Sequence, residues 1–383
     1  MNNPSSTASN DTLALIATRK GLFRLDNNKQ IHLVDFIGVP VSMVLSSATH
    51  SHWYAALDHG HFGVKLHRSD NFGESWQEVS APSYPQTETE DTESSDEATG
   101  ETAKGETAKG DSLELIWSLA YANSDNPKAL WAGTIPGGLF LSEDGGESWQ
   151  FNESLWQYKQ EQGWFGGGFD QAGIHSICVH PTDPQQVKIA VSCAGVWETQ
   201  DSGKSWATKS KGMRAAYMPP EQQFEPSIQD PHLVVQCQSS PEFLWTQHHN
   251  GIFRSTDNAE NWQEITEVKP SVFGFTVAVH PDDGNTAWFV PAVKDECRVP
   301  VDNQLVVTRT RDGGETFEAL TNGLPQVNAY DLVFRHGLDI DTTGNQLLMG
   351  STTGNLWLSD DQGDNWQCLS SNLPPIYAVQ FIK

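Results

Sequence analysis

The stretch Ser142-Glu143-Asp144-Gly145-Gly146-Glu147-Ser148-Trp149 decides the fold of this 383-residue chain. Five related stretches follow the same pattern, Ser/Thr-x-Asp-x-Gly-x-x-Trp, with some decay, and they begin at Ser69, Thr199, Ser255, Thr310 and Ser359. In chain order, successive copies start 73, 57, 56, 55 and 49 residues apart. A period of this size indicates a repeat architecture rather than several unrelated domains.

Each copy lies between two short apolar runs, which predicts the turn of a β-hairpin. The aspartate of such a turn accepts backbone N–H groups just ahead of it, and the glycine supplies the positive φ that the chain reversal needs. The tryptophan is large enough to fill the apolar seam between neighbouring sheets. The pattern therefore predicts the fold. Because each of its residues has a structural role in the hairpin, the pattern says almost nothing about function.

The six copies resemble the repeats of the BNR or Asp-box β-propellers. That family includes sialidases, other glycoside hydrolases, sortilin-type receptors and the photosystem II stability/assembly factors. The resemblance extends along almost the whole chain and includes bacterial Asp-box proteins of about this length that are described as sialidase-like. It implies an all-β propeller.

The two ends of the chain predict seven blades that form a single domain over residues 1–383. Residues 13–17 and 21–25 match the strands that precede the later copies of the motif, here called boxes. Residues 26–28 are interpreted as a degenerate seventh box. Residues 376–382 alternate like an innermost strand. We expect this C-terminal strand to complete the blade begun at the N-terminus, because such closure removes exposed sheet edges. The innermost strand of the last blade is expected to begin near Tyr330.

Composition limits the partners and the compartment. The net charge of −26 disfavours nucleic acid and anionic membranes as partners. Residues 1–10 lack the features of a signal peptide, and no apolar run has the length of a membrane span. The five cysteines are scattered and odd in number, which predicts reduced thiols and a cytoplasmic protein. Residues 87–111, rich in Glu, Asp, Thr and Ser, are expected to form a disordered acidic insertion between blades two and three.

Propeller topology predicts where a site lies. Loops that join second to third strands, and loops that join one blade to the next, emerge at the end of the ring opposite the box turns. Two long inter-blade loops, 151–172 and 207–231, carry aromatic and cationic residues at that end. Long loops in a compact fold are usually functional or disordered, and aromatic content disfavours disorder. A ligand pocket is therefore expected at this mouth of the ring.

Residue types at this mouth match those that sialidases use, namely three arginines, a Tyr/Glu pair and an acid. The predicted clamp for a carboxylate consists of Arg19, Arg214 and Arg298. The resemblance implies Asp170 as the general acid and Tyr217 with Glu296 as the nucleophile system. Further predicted ligand-binding residues are Lys20, His175, His232 and His249. The favoured hypothesis is a glycoside hydrolase of sialidase-like type that acts on an acidic sugar.

Two departures from sialidases keep other functions open. The Arg-Ile-Pro motif of that family is represented only by Phe23-Arg24-Leu25, and its propellers have six blades rather than seven. One alternative is a non-catalytic scaffold that binds a protein partner, as the photosystem II assembly factors do. A second is a uronic acid lyase in which histidines bind zinc with Asp170 or Glu296, or in which one acts as a base beside Tyr217. No histidine pair has spacing diagnostic of a metal site, so neither a metal nor another cofactor is predicted.

Overall fold

The computed structural model describes residues 12–85, 111–123 and 125–383, and these residues form seven four-stranded antiparallel sheets. Each innermost strand contacts the innermost strand of the next blade, and the last contacts the first, so the sheets form a closed ring. This arrangement confirms the predicted seven-bladed β-propeller. Apart from Asp111, the predicted acidic insertion lies outside the described residues.

The strands of the first three blades are given from the ring axis outward. The first blade consists of β28 (Ile376–Phe381), β1 (Thr12–Thr18), β2 (Gly21–Asp26) and β3 (Ile31–Asp35). The second blade consists of β4 (Val41–Leu45), β5 (Trp53–Asp58), β6 (Val64–Ser69) and β7 (Gln77–Val79). The third blade consists of β8 (Leu115–Tyr121), β9 (Leu130–Ile135), β10 (Leu139–Ser142) and β11 (Gln150–Phe151).

The remaining blades follow the same order. The fourth contains β12 (Ile174–His180), β13 (Asp183–Val191), β14 (Gly195–Thr199) and β15 (Ala207–Thr208). The fifth contains β16 (Pro231–Gln236), β17 (Leu244–His248), β18 (Gly251–Ser255) and β19 (Gln263–Ile265). The sixth contains β20 (Gly274–His280), β21 (Asp283–Pro291), β22 (Val307–Thr310) and β23 (Glu318–Leu320). The seventh contains β24 (Leu338–Ile340), β25 (Leu347–Gly350), β26 (Leu356–Ser359) and β27 (Gln367–Ser370).

The first blade is built from both ends of the chain, as predicted. Strand β28 pairs antiparallel with β1, and Ile16 faces Val379 in that register. Ile16, Leu25 and Phe381 pack with Leu348 and other buried residues of the seventh blade in one apolar cluster. The C-terminal strand therefore joins the first blade to the last.

Hydrogen bonds within the box hairpins explain the residue pattern. The Ser142 hydroxyl donates to Asp144 Oδ1 at 2.9 Å and accepts the Gly146 N–H at 2.8 Å. Asp144 Oδ1 also accepts the Ser148 N–H at 2.9 Å. The chain passes through the left-handed region at Gly146, where φ is 87°, and glycine adopts that region without steric cost.

The box tryptophans lie in the seams between blades. Trp366 of the seventh blade packs in one apolar cluster with Trp288 and Leu320 of the sixth. Trp206 of the fourth blade packs with Trp131 of the third, which repeats the arrangement. Each box hairpin thus fixes its blade against the preceding one.

Two local features differ from the sequence-based expectation. The innermost strand of the last blade begins at Leu338 and not near Tyr330, because residues 330–337 take an irregular path. The loop 151–172 contains an α-helix, α1 (Glu153–Gln162). Asn152 caps this helix by accepting the Leu155 N–H.

Among the described residues, no helix combines the length and the apolar character that crossing a bilayer requires.

Replacing Asp201 with alanine should destabilise the fold by about 1–2 kcal/mol at neutral pH, because this box aspartate accepts hydrogen bonds from Thr199 and Ser205. The Ser205 hydroxyl is the largest of the hydrogen-bonding effects that lower the pKa of Asp201 from 3.8 to about 2. A lowered pKa stabilises the folded state above the unfolded pKa, and this stabilisation is lost as the pH falls through the folded value. Urea unfolding at several pH values should therefore show the difference between the two proteins shrinking from about pH 4 towards pH 2.

Asp282→Ala is the matched control, because Asp282 is exposed and its side chain makes no hydrogen bond or ion pair within the described ranges. An Asp201→Ala effect no larger than that of the control would show that the box hydrogen bonds contribute nothing to stability.

Candidate functional site

A cavity of about 630 Å³ lies at the end of the ring opposite the box turns. It is lined by the first residues of several innermost strands and by the loops that emerge at that end, which is where the topology predicted a site. Its lining includes seven tryptophan, phenylalanine and tyrosine side chains, those of Trp117, Phe165, Phe169, Tyr217, Phe275, Phe334 and Tyr377.

Four predicted site residues line this cavity, namely Tyr217, His232, His249 and Arg298. The other six do not line it: Arg19, Lys20, Asp170, His175, Arg214 and Glu296. The structure therefore does not bring the predicted carboxylate clamp, acid and nucleophile together in one cavity. Their chemical roles stay predictions.

Local contacts explain why several of these residues lie elsewhere. Arg214 forms a two-pronged ion pair with Glu264 on the outermost strand β19, at 3.0 and 2.7 Å. Glu296 is exposed, and its carboxylate lies 3.5 Å from the Lys294 ammonium. His175 is fully buried against Trp117, and burial lowers its pKa well below the usual value.

An Asp-His-His cluster lies on the cavity wall and comes entirely from the fifth blade. Asp230 and His232 are two residues apart at the start of β16, and therefore their side chains project from the same face of the chain. His249 lies in the turn between β17 and β18, and its N–H donates to the Asp230 carbonyl at 2.9 Å. Asp230 Oδ2 is 3.7 Å from His232 Nε2 and 3.4 Å from His249 Nδ1.

The cluster has distinct protonation preferences. Burial alone would raise the pKa of Asp230, but the neighbouring His232 and His249 imidazoles and the charge of Arg335 hold it well below the usual value. Burial lowers the pKa of His232, although Asp230 opposes this. The pKa of His249 is raised, primarily by its hydrogen bond to Asp230. Asp230 is thus ionised in a largely buried site.

The sequence pattern did not single out Arg335, which lies between this cavity and a second one of about 710 Å³ farther along the ring axis. Its Nε atom is buried without a hydrogen-bond partner, and its guanidinium forms no ion pair within the described residues. The guanidinium carbon lies 4.6 Å from the centre of the Trp117 ring and 5.8 Å from that of Phe275. Burial lowers the pKa of Arg335 to about 10, so the side chain remains charged at neutral pH.

Two hydrogen bonds of His336 hold the segment that carries Arg335 to the innermost strands β12 and β28. His336 Nε2 donates to the His175 carbonyl at 2.9 Å, and the His336 carbonyl accepts the Val379 N–H at 2.8 Å. Burial lowers the pKa of His336 to about 4, so it is a neutral donor at physiological pH. These bonds fix the backbone beside Arg335 while the guanidinium stays free to contact a ligand.

A glycine loop covers part of the cavity. A Cβ added to Gly167 would lie 2.7 Å from the Cys193 sulfur, so glycine is required for this close approach. Cys193 itself has a φ of 54°, an uncommon conformation for a residue of this type, and its N–H donates to Asp230 Oδ1 at 3.1 Å. The strained turn thereby orients the buried carboxylate.

The rim of the cavity carries a second arginine. Arg298 forms an ion pair with Asp295 through Nε at 3.0 Å, and its guanidinium carbon lies 5.2 Å from the centre of the Phe275 ring. The charge of Arg298 is therefore already paired, and 40% of its side chain is exposed, whereas Arg335 has no ion-pair partner among the described residues.

No protein-family model matches the sequence, and no curated protein sequence matches it. The structure is similar to the GH74 enzyme of Niastella koreensis, with a TM-score of 0.61 and 15% identity over 95% of this chain and 53% of that one. It is also similar to an ancestral GH74 enzyme, with a TM-score of 0.56 and 18% identity over 90% of this chain and 38% of that one.

A further similar structure is YCF48 bound to a D1 peptide, with a TM-score of 0.52 and 13% identity over 96% of this chain and 86% of that one. The chain thus spans about half the length of the first GH74 enzyme and less of the second. At these identities the similarities establish the shared propeller fold alone.

The cysteines provide a test of the cavity geometry. All five are free thiols, as their spacing predicted, and Cys297 and Cys368 are the exposed ones. Burial raises the pKa of the Cys193 thiol, and it raises the pKa of the Cys178 thiol to about 11. A raised pKa disfavours the reactive thiolate.

Peptide mapping after brief maleimide treatment at pH 8 should therefore show Cys297 and Cys368 labelled well before Cys193. Equal labelling of Cys193 and Cys297 would contradict the closed packing of the glycine loop.

Proposed function

We propose that the protein binds a compact anionic ligand of the acidic-sugar class in the loop-end cavity, with Arg335 as the residue that binds the ligand carboxylate. The observation that carries this proposal is the guanidinium of Arg335, which is charged, partly withdrawn from water and without an ion-pair partner among the described residues. An unpaired charge that is partly withdrawn from water is costly, and a carboxylate held in bidentate geometry is its natural partner.

The shape and walls of the cavity support the same ligand class. Its volume of about 630 Å³ lies within the range of small-molecule sites. The aromatic rings of Trp117 and Phe275 flank the guanidinium. Phe165, Phe169 and Tyr217 are exposed aromatic residues of the lining, on which the ring of a sugar can pack. The combination of one unpaired, half-buried cation with aromatic walls favours a ligand that has an acidic group on a compact, partly apolar body.

Glycoside hydrolysis has less support than binding. That reaction requires a carboxyl group whose pKa is raised so that it can donate a proton. Asp230, the buried carboxylate of the cavity, has a lowered pKa instead. The predicted acid Asp170 is exposed and does not line the cavity.

We also propose kinship with the Asp-box propellers, which the six boxes and their shared hairpin hydrogen bonds support. The alternative of a protein-binding scaffold draws on the same chemistry, since the carboxylate of an acidic peptide would also pair with Arg335. YCF48, a protein of similar fold, has been solved with a bound D1 peptide.

A thermal-shift comparison of wild type with Arg335→Met tests the proposal. Sialic and uronic acids should raise the melting temperature of the wild type, because a ligand that binds only the folded state stabilises it by mass action. The increase should vanish in Arg335→Met and should be absent with neutral sugars. Without ligand, Arg335→Met should melt at or above the wild-type temperature, because the substitution removes an unpaired, half-buried charge.

Arg214→Met is the matched control, because Arg214 is already paired with Glu264 outside the cavity. This variant should respond to acidic sugars like the wild type. An increase of the same size in Arg335→Met would contradict the proposal, and a response to acidic peptides alone would favour the scaffold.

A further inference from the structure

We propose that Asp230, His232 and His249 together bind one divalent transition-metal ion on the wall of the cavity. One potential ligand atom from each residue lies within 4.8 Å of those of the other two. Two imidazoles and one carboxylate are a donor set suited to zinc, iron(II), cobalt(II) and related ions.

The tautomer of His232 is the first observation behind this proposal. Its Nδ1 lies 2.7 Å from the Gly274 carbonyl oxygen, which can only accept, and therefore Nδ1 carries the proton. In the neutral ring, Nε2 is then left with a lone pair directed at Asp230 Oδ2 across 3.7 Å. Two electron-rich atoms facing each other in a buried site repel, and a cation between them removes that repulsion. Metal-binding histidines commonly donate the N–H of their other ring nitrogen to a backbone carbonyl in this way.

The carboxylate is held in the matching orientation. Asp230 Oδ1 accepts the Cys193 N–H at 3.1 Å, which leaves Oδ2 directed towards the two histidines. The Asp230 N–H donates to His248 Nε2 at 3.0 Å, and this contact occupies the neighbouring histidine away from the cluster. The backbone around Asp230 thus orients the Asp230 carboxylate towards the cluster and holds His248 outside it.

All three residues line the cavity, so an ion that they bind would face it. His232 is also fixed from behind by Phe275, whose ring stacks on the imidazole at 4.6 Å and 11°. His249 is the more accessible ligand, with 27% of its side chain exposed. A metal with three protein ligands on one face keeps open positions for a small molecule.

This inference extends the function proposed for the same cavity, since an anionic ligand held by Arg335 would also face the metal. It depends on different residues, however, and the two ideas can fail separately. Loss of metal binding would leave the effect of Arg335→Met on sugar binding intact, and absence of sugar binding would leave the metal titration intact.

The test is a titration of the chelator-treated full-length protein with Co²⁺, followed by visible absorption, and with Zn²⁺, followed by calorimetry. Wild type should bind one equivalent of either ion with an affinity that Asp230→Asn and His249→Ala each reduce. The reduction should exceed the roughly 10–100-fold that loss of an outer-shell partner costs, since a direct ligand is removed. Asp230→Asn keeps an oxygen to accept the Cys193 N–H and therefore keeps the fold.

His61→Ala is the matched control, because His61 is an exposed histidine in another blade that does not line the cavity. It should bind both ions like the wild type, and all variants should melt within a few degrees of it in chelator. The proposal is overturned if wild type binds no tighter than His249→Ala, or if His61→Ala reduces the affinity as much as the cluster variants do.

Discussion

Closure of the ring by the C-terminal strand is the constraint on which the site depends. Pairing of β28 with β1 brings Tyr377 to the cavity beside residues from all six other blades. The same strand donates the Val379 N–H to the carbonyl of His336, next to Arg335. Without that pairing an open sheet edge would remain, and the inner strand ends that line the cavity would have nothing to hold them around one axis.

The repeat was sufficient to predict the ring but not the arrangement of residues inside it. Box residues such as Ser142, Asp144 and Gly146 act through hydrogen bonds only a few residues apart, and a local pattern of that kind is legible in sequence. Together with the strand patterns at the two ends of the chain, the repeat predicted the number of blades, their closure and the end at which the candidate site lies. The innermost strand of the seventh blade was misplaced because residues 330–337 form only an isolated bridge, between His336 and Ala378, and no regular strand.

The candidate site was predicted in part for a related reason. Sequence places a loop residue at one end of the ring but does not give its distance from the axis, so Arg214 was grouped with Arg298 although Glu264 holds it at an outer strand. His232 and His249 were correctly brought to one cavity. A signal for Asp230 was present, since Asp-Pro-His at the start of an inner strand precedes a His-His turn in the same blade. Arg335 offered no comparable signal, because its importance lies in the absence of a partner.

Two features of the cavity oppose stability in the same place. Arg335 is a charge without a counter-ion among the described residues, and the Nε2 lone pair of His232 faces the carboxylate of Asp230. Ordinary selection for stability would replace either arrangement with packed apolar groups. One metal ion with an anion bound beside it would compensate both, since the ion satisfies the lone pairs and the anion satisfies the guanidinium. If both proposals hold, the two unfavourable arrangements are halves of one binding site in a ring that is otherwise closely packed.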